Sequence, residues 1–341
     1  MQKLILTHHL SPGDVLMLTA AIRDLHENYP DQFITDVRTS CGELWENNPF
    51  ITPLDENDPD VEVMKCQYEL VHHSNQGSHH FIHGFVDFLN DALDLKIKPG
   101  KFKAEIYLSN DEKCWLSQIY EENKKDIPYW LVNAGTKSDY TAKGWGLHNY
   151  QAVVDALPDI TFVQVGAGDH RHKDLTGKNV INLVGKTEMR QYIRLFYHAA
   201  GVLTGVSLPM HLAAAVPMKP CYFRANRPCI VMAGGREPSV WEAYTNHAYM
   251  HTCGMMDCCD DGGCWKSRAY PIGDGDDKDK DLCERTVIRG GVKIPKCMDM
   301  ITPEAVVQKI DDYLSTYDYY ENWDLDKDGI VRGRKENHAI F

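Results

Sequence analysis

Two strand–turn–helix units in this chain carry residues suited to an anion and to a proton. Residues Val202 to Ala215 read VLTGVSLPMHLAAA. This is an apolar strand, a tight polar turn, and Pro209 at the expected first position of a helix, where its missing N–H costs nothing. The turn Ser207-Leu208-Pro209-Met210, with His211 behind it, would aim backbone N–H groups and the positive end of a helix dipole at a bound group. Such an arrangement suits a diphosphate. The second unit runs from the strand Lys3–Thr7 through Ser11-Pro12-Gly13 to Asp14, which opens a helix. A carboxylate there can serve as a general base. The plainer reading is an acidic residue favoured by the helix dipole.

A third group of residues could hold a metal. Cys258, Cys259 and Cys264 are followed by Cys283 and Cys297 in a stretch rich in Gly and Asp. A CxxxxC pair with two later single cysteines can supply four thiolates to one ion. Free thiols and disulfides are the alternatives. Cys41, Cys66, Cys114, Cys221 and Cys229 read as ordinary buried residues. His72, His73, His79, His80 and His83 read as a polar loop leading into a helix, with metal ligation as the alternative. Asp324, Asp326, Asp328 and Gly329 form the first half of a calcium loop. Lys335 stands where the bidentate Glu belongs, which favours an exposed acidic turn.

These residues need elements to position them. Leu18, Ile22, Leu25 and Tyr29 recur at helical spacing, which predicts a helix over 14–29 stopped by Pro30. Strands are expected at 33–38 and 68–72, and helices at 82–93 and 114–123, with Asp126-Ile127-Pro128 as a hinge. The second half reads as strand 129–133, a long polar loop, helix 149–157, strands 161–165 and 180–183, and helix 188–200. A late helix over 303–317 has Thr302 as its N-cap. Residues 273–281 read as a solvated loop. Alternating strands and helices imply parallel sheets built from right-handed βαβ units.

Composition sets the bounds. The 341 residues, 43% of them hydrophobic, exceed the size at which a single core splits, so two domains are expected. A formal net charge of -13 disfavours nucleic acid as a partner. No run of about 18 apolar residues predicts a membrane span. The opening strand-like LILT does not read as a signal peptide. A cytoplasmic location is therefore expected, where clustered cysteines more often hold metal than pair.

Five segments now combine: GDVLMLTAAIRDL (13–25), AGTKSDYTAKGWGLHNYQAVVDAL (134–157), FVQVGAGD (162–169), LVGKTEMRQYIRLFYHAAGVLTG (183–205) and SLPMHLAAA (207–215). In this order they resemble the ADP-heptose-using heptosyltransferases of glycosyltransferase family 9. The resemblance implies an α/β fold of the GT-B type, with two Rossmann-like domains facing a cleft. Residues 1–127 would form the acceptor domain and 128–320 the donor-binding domain. The latter would include a small metal-binding cysteine finger at 253–300, leaving 321–341 as a tail. The resemblance makes Asp14 the general base and puts Lys143 on donor phosphate. It assigns Gly135, Thr136, Gly166, Asp169, Ser207, Leu208, Pro209, Met210 and His211 to the donor site. The plainer readings are an exposed loop lysine for Lys143 and a core-facing side chain for His211.

The turn departs from the family pattern. Val206 and Leu208 stand where an Asp and a Gly are usual, so the acid that would hold sugar hydroxyls is missing and the donor sugar is left open. The cysteines resemble the iron-binding finger of bacterial autotransporter heptosyltransferases, through Cys264-Trp265, Cys283, and Cys297 ahead of Ile301-Thr302. This implies one structural iron or zinc on Cys259, Cys264, Cys283 and Cys297, with Cys258 as a rival ligand. The function implied is inverting transfer of a sugar, heptose favoured, from a nucleotide diphosphate sugar such as ADP-heptose to a glycan or protein hydroxyl. A sugar-nucleotide epimerase, or an inactive nucleotide-sugar-binding or assembly protein, stays open. So does the oligomeric state, a homo-oligomer included.

Overall fold

The run Leu4-Ile5-Leu6 is fully buried and forms the middle of a small parallel sheet. The computed structural model describes residues 1–170, 172–220 and 226–315, and the backbone of 323–325 and 331–334. The chain divides into two units. The first comprises Met1–Lys113 with Ala214–Val216 and Pro238–Tyr244. Here β1 (Gln2–His8) lies between β2 (Phe33–Thr39) and β3 (Val61–Lys65), all parallel. Helix α1 (Pro12–Asn28) follows β1, and every residue from Val15 to Leu25 is buried. Even Arg23 and Asp24 are buried, as an ion pair 2.9 Å apart, and Arg23 also donates to the carbonyls of Lys101 and Lys103. That agrees with the rule that a buried charge must be paired and hydrogen-bonded.

Helix α2 (Phe81–Leu93) explains part of the histidine-rich stretch. The His80 N–H donates to His83 Nδ1 at 2.8 Å, and the Ile82 N–H donates to His80 Nδ1 at 3.3 Å. The two imidazoles thus form a reciprocal N-terminal cap, a role usually filled by Ser or Thr with Glu.

Three expectations in this region need correction. The strand expected at 68–72 is a 3₁₀ turn, Glu69–His73, and the strand is Val61–Lys65. Pairing along β1 ends where the Cys66 N–H meets the Thr7 carbonyl. Beyond it, the Tyr68 ring packs against Phe81 and Phe85 instead of extending a ladder. The single helix expected at 114–123 is two, α3 (Asn110–Cys114) and α4 (Gln118–Asn123). Ser117 Oγ accepts from the Tyr120 N–H at 3.0 Å and starts the second one. Cys114 is exposed, not buried.

The second unit comprises Cys114–Ala213, Pro217–Glu237 and Thr245–Phe341. Its six-stranded parallel sheet has the order β6-β5-β4-β7-β8-β9. The strands are β4 (Tyr129–Asn133), β5 (Thr161–Gln164), β6 (Val180–Asn182), β7 (Gly201–Gly205), β8 (Cys229–Gly234) and β9 (His247–His251). The helices between them are α5 (Leu147–Ala156), α6 (Met189–His198) and α7 (Leu208–Ala215). Strands β4 and β8 are buried along their whole length, as expected when both faces of a parallel sheet are covered. The chain runs outward from β4 to β6 and then returns to β7 on the other side. The strand order therefore reverses between β4 and β7, which is where open α/β sheets bind ligands, beyond the carboxyl ends.

After β9 the chain forms the cysteine-rich segment, which ends in the hairpin β10 (Thr286–Arg289) and β11 (Val292–Pro295). Gly290 and Gly291, with φ of 53° and 75°, supply the left-handed turn such a hairpin needs. The stretch 273–281 is not simply solvated. Arg268, with no side-chain exposure, grips Asp274 at 2.8 Å and also pairs with Asp279. The same segment is tied to the loop after β4. The Ala142 N–H donates to the Ser267 carbonyl, the Ala269 N–H to Thr141 Oγ1, and Arg268 Nε to the Asp139 carbonyl.

The late helix Pro303–Ser315 begins at Thr302, whose Oγ1 accepts from the Ala305 N–H at 3.3 Å. Residues 323–325 and 331–334 pair as an antiparallel ribbon. Asp326, Asp328, Gly329 and Lys335 of the acidic motif, and Cys221, lie outside the described residues. Among the described residues no helix is long and apolar enough to cross a membrane.

Candidate active site

Asp14 lies in the first turn of α1, two residues inside the Pro12 start, and keeps part of its surface open. The Tyr68 hydroxyl donates to Asp14 Oδ1 at 2.8 Å. That phenol is held in an aromatic cage, with ring centroids at 4.7 Å from Phe81, 5.1 Å from Phe85 and 5.9 Å from His8. Gly84 leaves the space the cage needs, since a Cβ there would stand 2.6 Å from Tyr68 Cβ. Asp14 is thus an acceptor-rich side chain at a helix N-terminus, fixed through one oxygen.

In the second unit the loop after β4 delivers Lys143 to the turn before α7. A 3₁₀ turn, Thr141–Lys143, ends the loop. The Lys143 ammonium donates to the Val206 carbonyl at 3.3 Å and pairs with Glu237 Oε1 at 3.0 Å. Lysine and turn, separate in sequence, are therefore brought together. Ser207 is exposed, and its Oγ lies 3.4 Å from Thr204 Oγ1. Helix α7 starts at Leu208, so Pro209 is its second residue, one place later than the sequence predicts. Pro209, Met210 and His211 are buried.

The glycines of the expected donor site meet at another ring. His172 packs directly on Gly135 and Gly166, at the carboxyl ends of β4 and β5. Both of its ring nitrogens are buried and lack a hydrogen-bond partner among the described residues, and burial lowers its pKa. Thr136 Cγ2 faces Gly144, where a Cβ would stand 3.6 Å away. Asp169 is largely exposed and only approaches His170, at 4.0 Å.

Sequence reasoning overlooked Tyr68, His172, Glu237 and Cys253. Glu237 follows the Gly234-Gly235-Arg236 turn at the end of β8, and its side chain is 3% exposed. Its neighbour Arg236 donates to the Lys266 carbonyl at 2.7 Å. The Arg236 guanidinium lies 5.6 Å from the Tyr140 ring and 5.4 Å from the Trp265 ring.

The five cysteines singled out do share one place. Cys258, Cys259, Cys264, Cys283 and Cys297 line a single hollow, rimmed by the cations Arg236, Lys266 and Arg285. The glycine pair closing β8 makes room for them. A Cβ on Gly235 would stand 3.0 Å from Cys259 Sγ, and one on Gly234 3.3 Å from Cys297 Sγ. Cys253 belongs to the same neighbourhood, with its Sγ 3.2 Å from the Glu237 carbonyl. Burial first, and then the neighbouring sulfurs, push the Cys253 and Cys297 thiols up to about 11. Among the described residues, no group of three or more His, Cys, Asp or Glu side chains is placed to hold a metal ion, so the five sulfurs share a hollow without forming a ligand set.

Comparison with known proteins places the chain in a family. Residues 53–250, more than half of the chain, match the model of glycosyltransferase family 9 (heptosyltransferase). No curated protein matches the chain in sequence. Among solved structures, the glycosyl transferase family 9 protein of Veillonella parvula DSM 2008 is similar, with a TM-score of 0.59 at 12% identity. The match covers 93% of this chain and 98% of that one. The E. coli ADP-heptose lps heptosyltransferase II matches with a TM-score of 0.57 at 16% identity, over 93% and 99% of the two chains. The iron-containing dodecameric glycosyltransferase TibC from enterotoxigenic E. coli H10407 matches with a TM-score of 0.56 at 13% identity, over 92% and 78%. At these identities the likenesses establish the α/β fold, and the family model supplies the rest: this chain belongs to glycosyltransferase family 9, and it is a glycosyltransferase.

Proposed function

We propose that the protein transfers a sugar, with heptose favoured, from a nucleotide diphosphate sugar to a hydroxyl of a glycan or protein, with inversion. The observation that carries this reading is the Lys143 ammonium resting on the Val206 carbonyl at the start of α7. A cation beside a helix N-terminus is suited to the charge that builds on a departing diphosphate. Asp14 would take the acceptor proton. Tyr68 occupies its Oδ1, which would leave Oδ2 for that task. Gly135, Thr136, Gly166 and Ser207 would bound the donor, and His211, buried in α7, would support the turn from behind. ADP-heptose is the favoured donor, because the solved relatives named for it share this fold. A reducing, cytoplasmic compartment fits a segment whose cysteines are free thiols.

The test is direct. Purified protein is incubated with a panel of labelled nucleotide sugars and cell extract, and the label is followed. Heptose leaving ADP-heptose for a macromolecule is the expected result. A labelled sugar that is rearranged but never leaves its nucleotide would show an epimerase. Nucleotide-sugar binding without turnover would show a binding protein.

We further propose that the cysteine hollow holds one structural iron or zinc, on Cys259, Cys264, Cys283 and Cys297, with Cys258 as rival. The fit rests on the sulfurs gathered around one space and on the glycine pair beside them. Four thiolates would carry more negative charge than one ion offsets, and the rim of Arg236, Lys266 and Arg285 supplies compensation. Thiolates select these metals over calcium or magnesium. When bound, the ion would supply cross-linking to a segment poor in large apolar side chains. Elemental analysis of protein purified anaerobically without chelators should find about one equivalent, and finding none would reject the assignment.

A further inference from the structure

The side chain that the mechanism above does not use is Glu237. Its carboxylate is 3% exposed. Oε1 is fully engaged, by the Lys143 ammonium at 3.0 Å and by the adjoining Arg236 guanidinium. Oε2 is buried and has no hydrogen-bond partner among the described residues. Buried carboxylate oxygens without a donor are rare, because losing water without replacement is costly. The orphan belongs to the same carboxylate that holds Lys143, and Lys143 touches the turn that opens α7. The orphan oxygen is thus one ion pair removed from the turn at which the donor is proposed to bind.

The chemistry of Oε2 selects what it can bind. The diphosphate of a nucleotide sugar is a diester with no proton to donate at neutral pH and would be repelled by a carboxylate. A hydroxyl donates and needs no countercharge. We infer that Glu237 is a specificity residue which accepts a hydrogen bond from a hydroxyl of the donor's sugars through Oε2, while Oε1 orients Lys143 for the diphosphate. The hydroxyl sits on the ribose or on the transferred sugar, which share this chemistry. The inference rests on the nucleotide-sugar reading given above.

Three probes separate the contributions: pyrophosphate, ADP and ADP-heptose, each titrated calorimetrically into wild-type protein, Glu237→Gln and Glu237→Asp. The Gln variant puts an amide where a proton acceptor is needed. The Asp variant keeps the charge on a shorter arm. Through Lys143 either variant can shift pyrophosphate binding, but the hydroxyl-bearing ligand should lose about tenfold or more beyond that shift. Loss for ADP-heptose alone assigns Oε2 to the transferred sugar, and loss for ADP as well assigns it to the ribose. Equal loss for all three probes would reduce Glu237 to a support for Lys143 and overturn the inference. So would unchanged binding of all three in variants with wild-type melting behaviour. Wild-type protein that binds pyrophosphate but neither nucleotide would refute the nucleotide-sugar reading itself, a result visible before any variant is made.

Discussion

Replacing Lys143 with Ala tests whether its ammonium is a phosphate contact or a brace for its own loop. A charge-assisted hydrogen bond is worth about 1.5–3 kcal/mol. The Lys143 side chain is 26% exposed, so solvent screens part of that and the lower half of the range applies. About 1.5–2 kcal/mol corresponds to a loss of roughly 10- to 30-fold in affinity. Glu237 keeps its Arg236 partner in the variant, so the turn is not left with an unpaired buried acid. The loss should fall on ADP and spare adenosine, which has no phosphate, to within about twofold. Calorimetry of both ligands at one pH and ionic strength reads the difference. The salt dependence of ADP binding should also flatten, because one phosphate contact is gone. Lys143→Arg, which keeps the charge, should recover most of the affinity. Equal losses for ADP and adenosine would mean that the lysine only holds the Val206 turn in place, and the phosphate assignment would fall.

Asp14→Asn should lower turnover by a factor of roughly 10² to 10⁴ and leave ADP-heptose affinity within about twofold; wild-type turnover in single-turnover assays would remove Asp14 from the mechanism. Tyr68→Phe keeps the aromatic cage and deletes only the donor to Asp14, so kcat should fall about tenfold with little change in melting temperature. Cys283→Ser should cost the protein its metal in elemental analysis. Hydrogen-exchange protection should then fall over residues 253–300 first, while β1 and β4 stay protected. His80 gives a pH signature. Burial depresses its folded pKa to about 4 from 6.5, so the unfolded chain takes the proton first. Its contribution to stability is complete above pH 6.5 and is lost as pH falls towards 4. His80→Ser keeps a capping oxygen and should flatten that part of the denaturation curve, whereas an unchanged slope would point to other groups.

Much of the frame was legible because its signals are local. The helical recurrence of Leu18, Ile22 and Leu25 marks α1, and the apolar run of β4 is buried residue for residue. The Thr302 cap could be read from three residues. What failed was what tertiary contacts decide. The sequence YELVH has strand-like composition, yet Tyr68 leaves the ladder for an aromatic cage and a bond to Asp14. The true strand, VEVMK, is a short edge strand with one buried residue, Met64, so it lacks the buried apolar run that marks the inner strands. The apolar CIVMAG of β8 was readable and was missed, while HAYMH of β9 has no apolar period at all. At the site, the approach of Lys143 to Val206 is a contact between distant segments that a family pattern can imply. Glu237 gave no signal, since a carboxylate after Gly-Gly-Arg looks like any surface acid. Its importance lies in being buried beside Lys143, which only the packing shows. Cys253, set apart from the other cysteines by several residues, likewise joins them only in space.

The stitching of the cysteine-rich segment to the loop after β4 bears on how this enzyme could be altered. Ser267, Arg268 and Ala269 bond to Ala142, Asp139 and Thr141, and Lys278 reaches Asp139 at 3.3 Å. The segment is therefore no detachable module. Deleting it would strip the outer wall from the loop that ends in Lys143, so a shortened enzyme should lose the proposed phosphate contact along with the proposed metal site. Moving it into a relative would succeed only if the recipient's loop were exchanged at the same time. The two stretches form one structural unit, and a chimera should cut outside both.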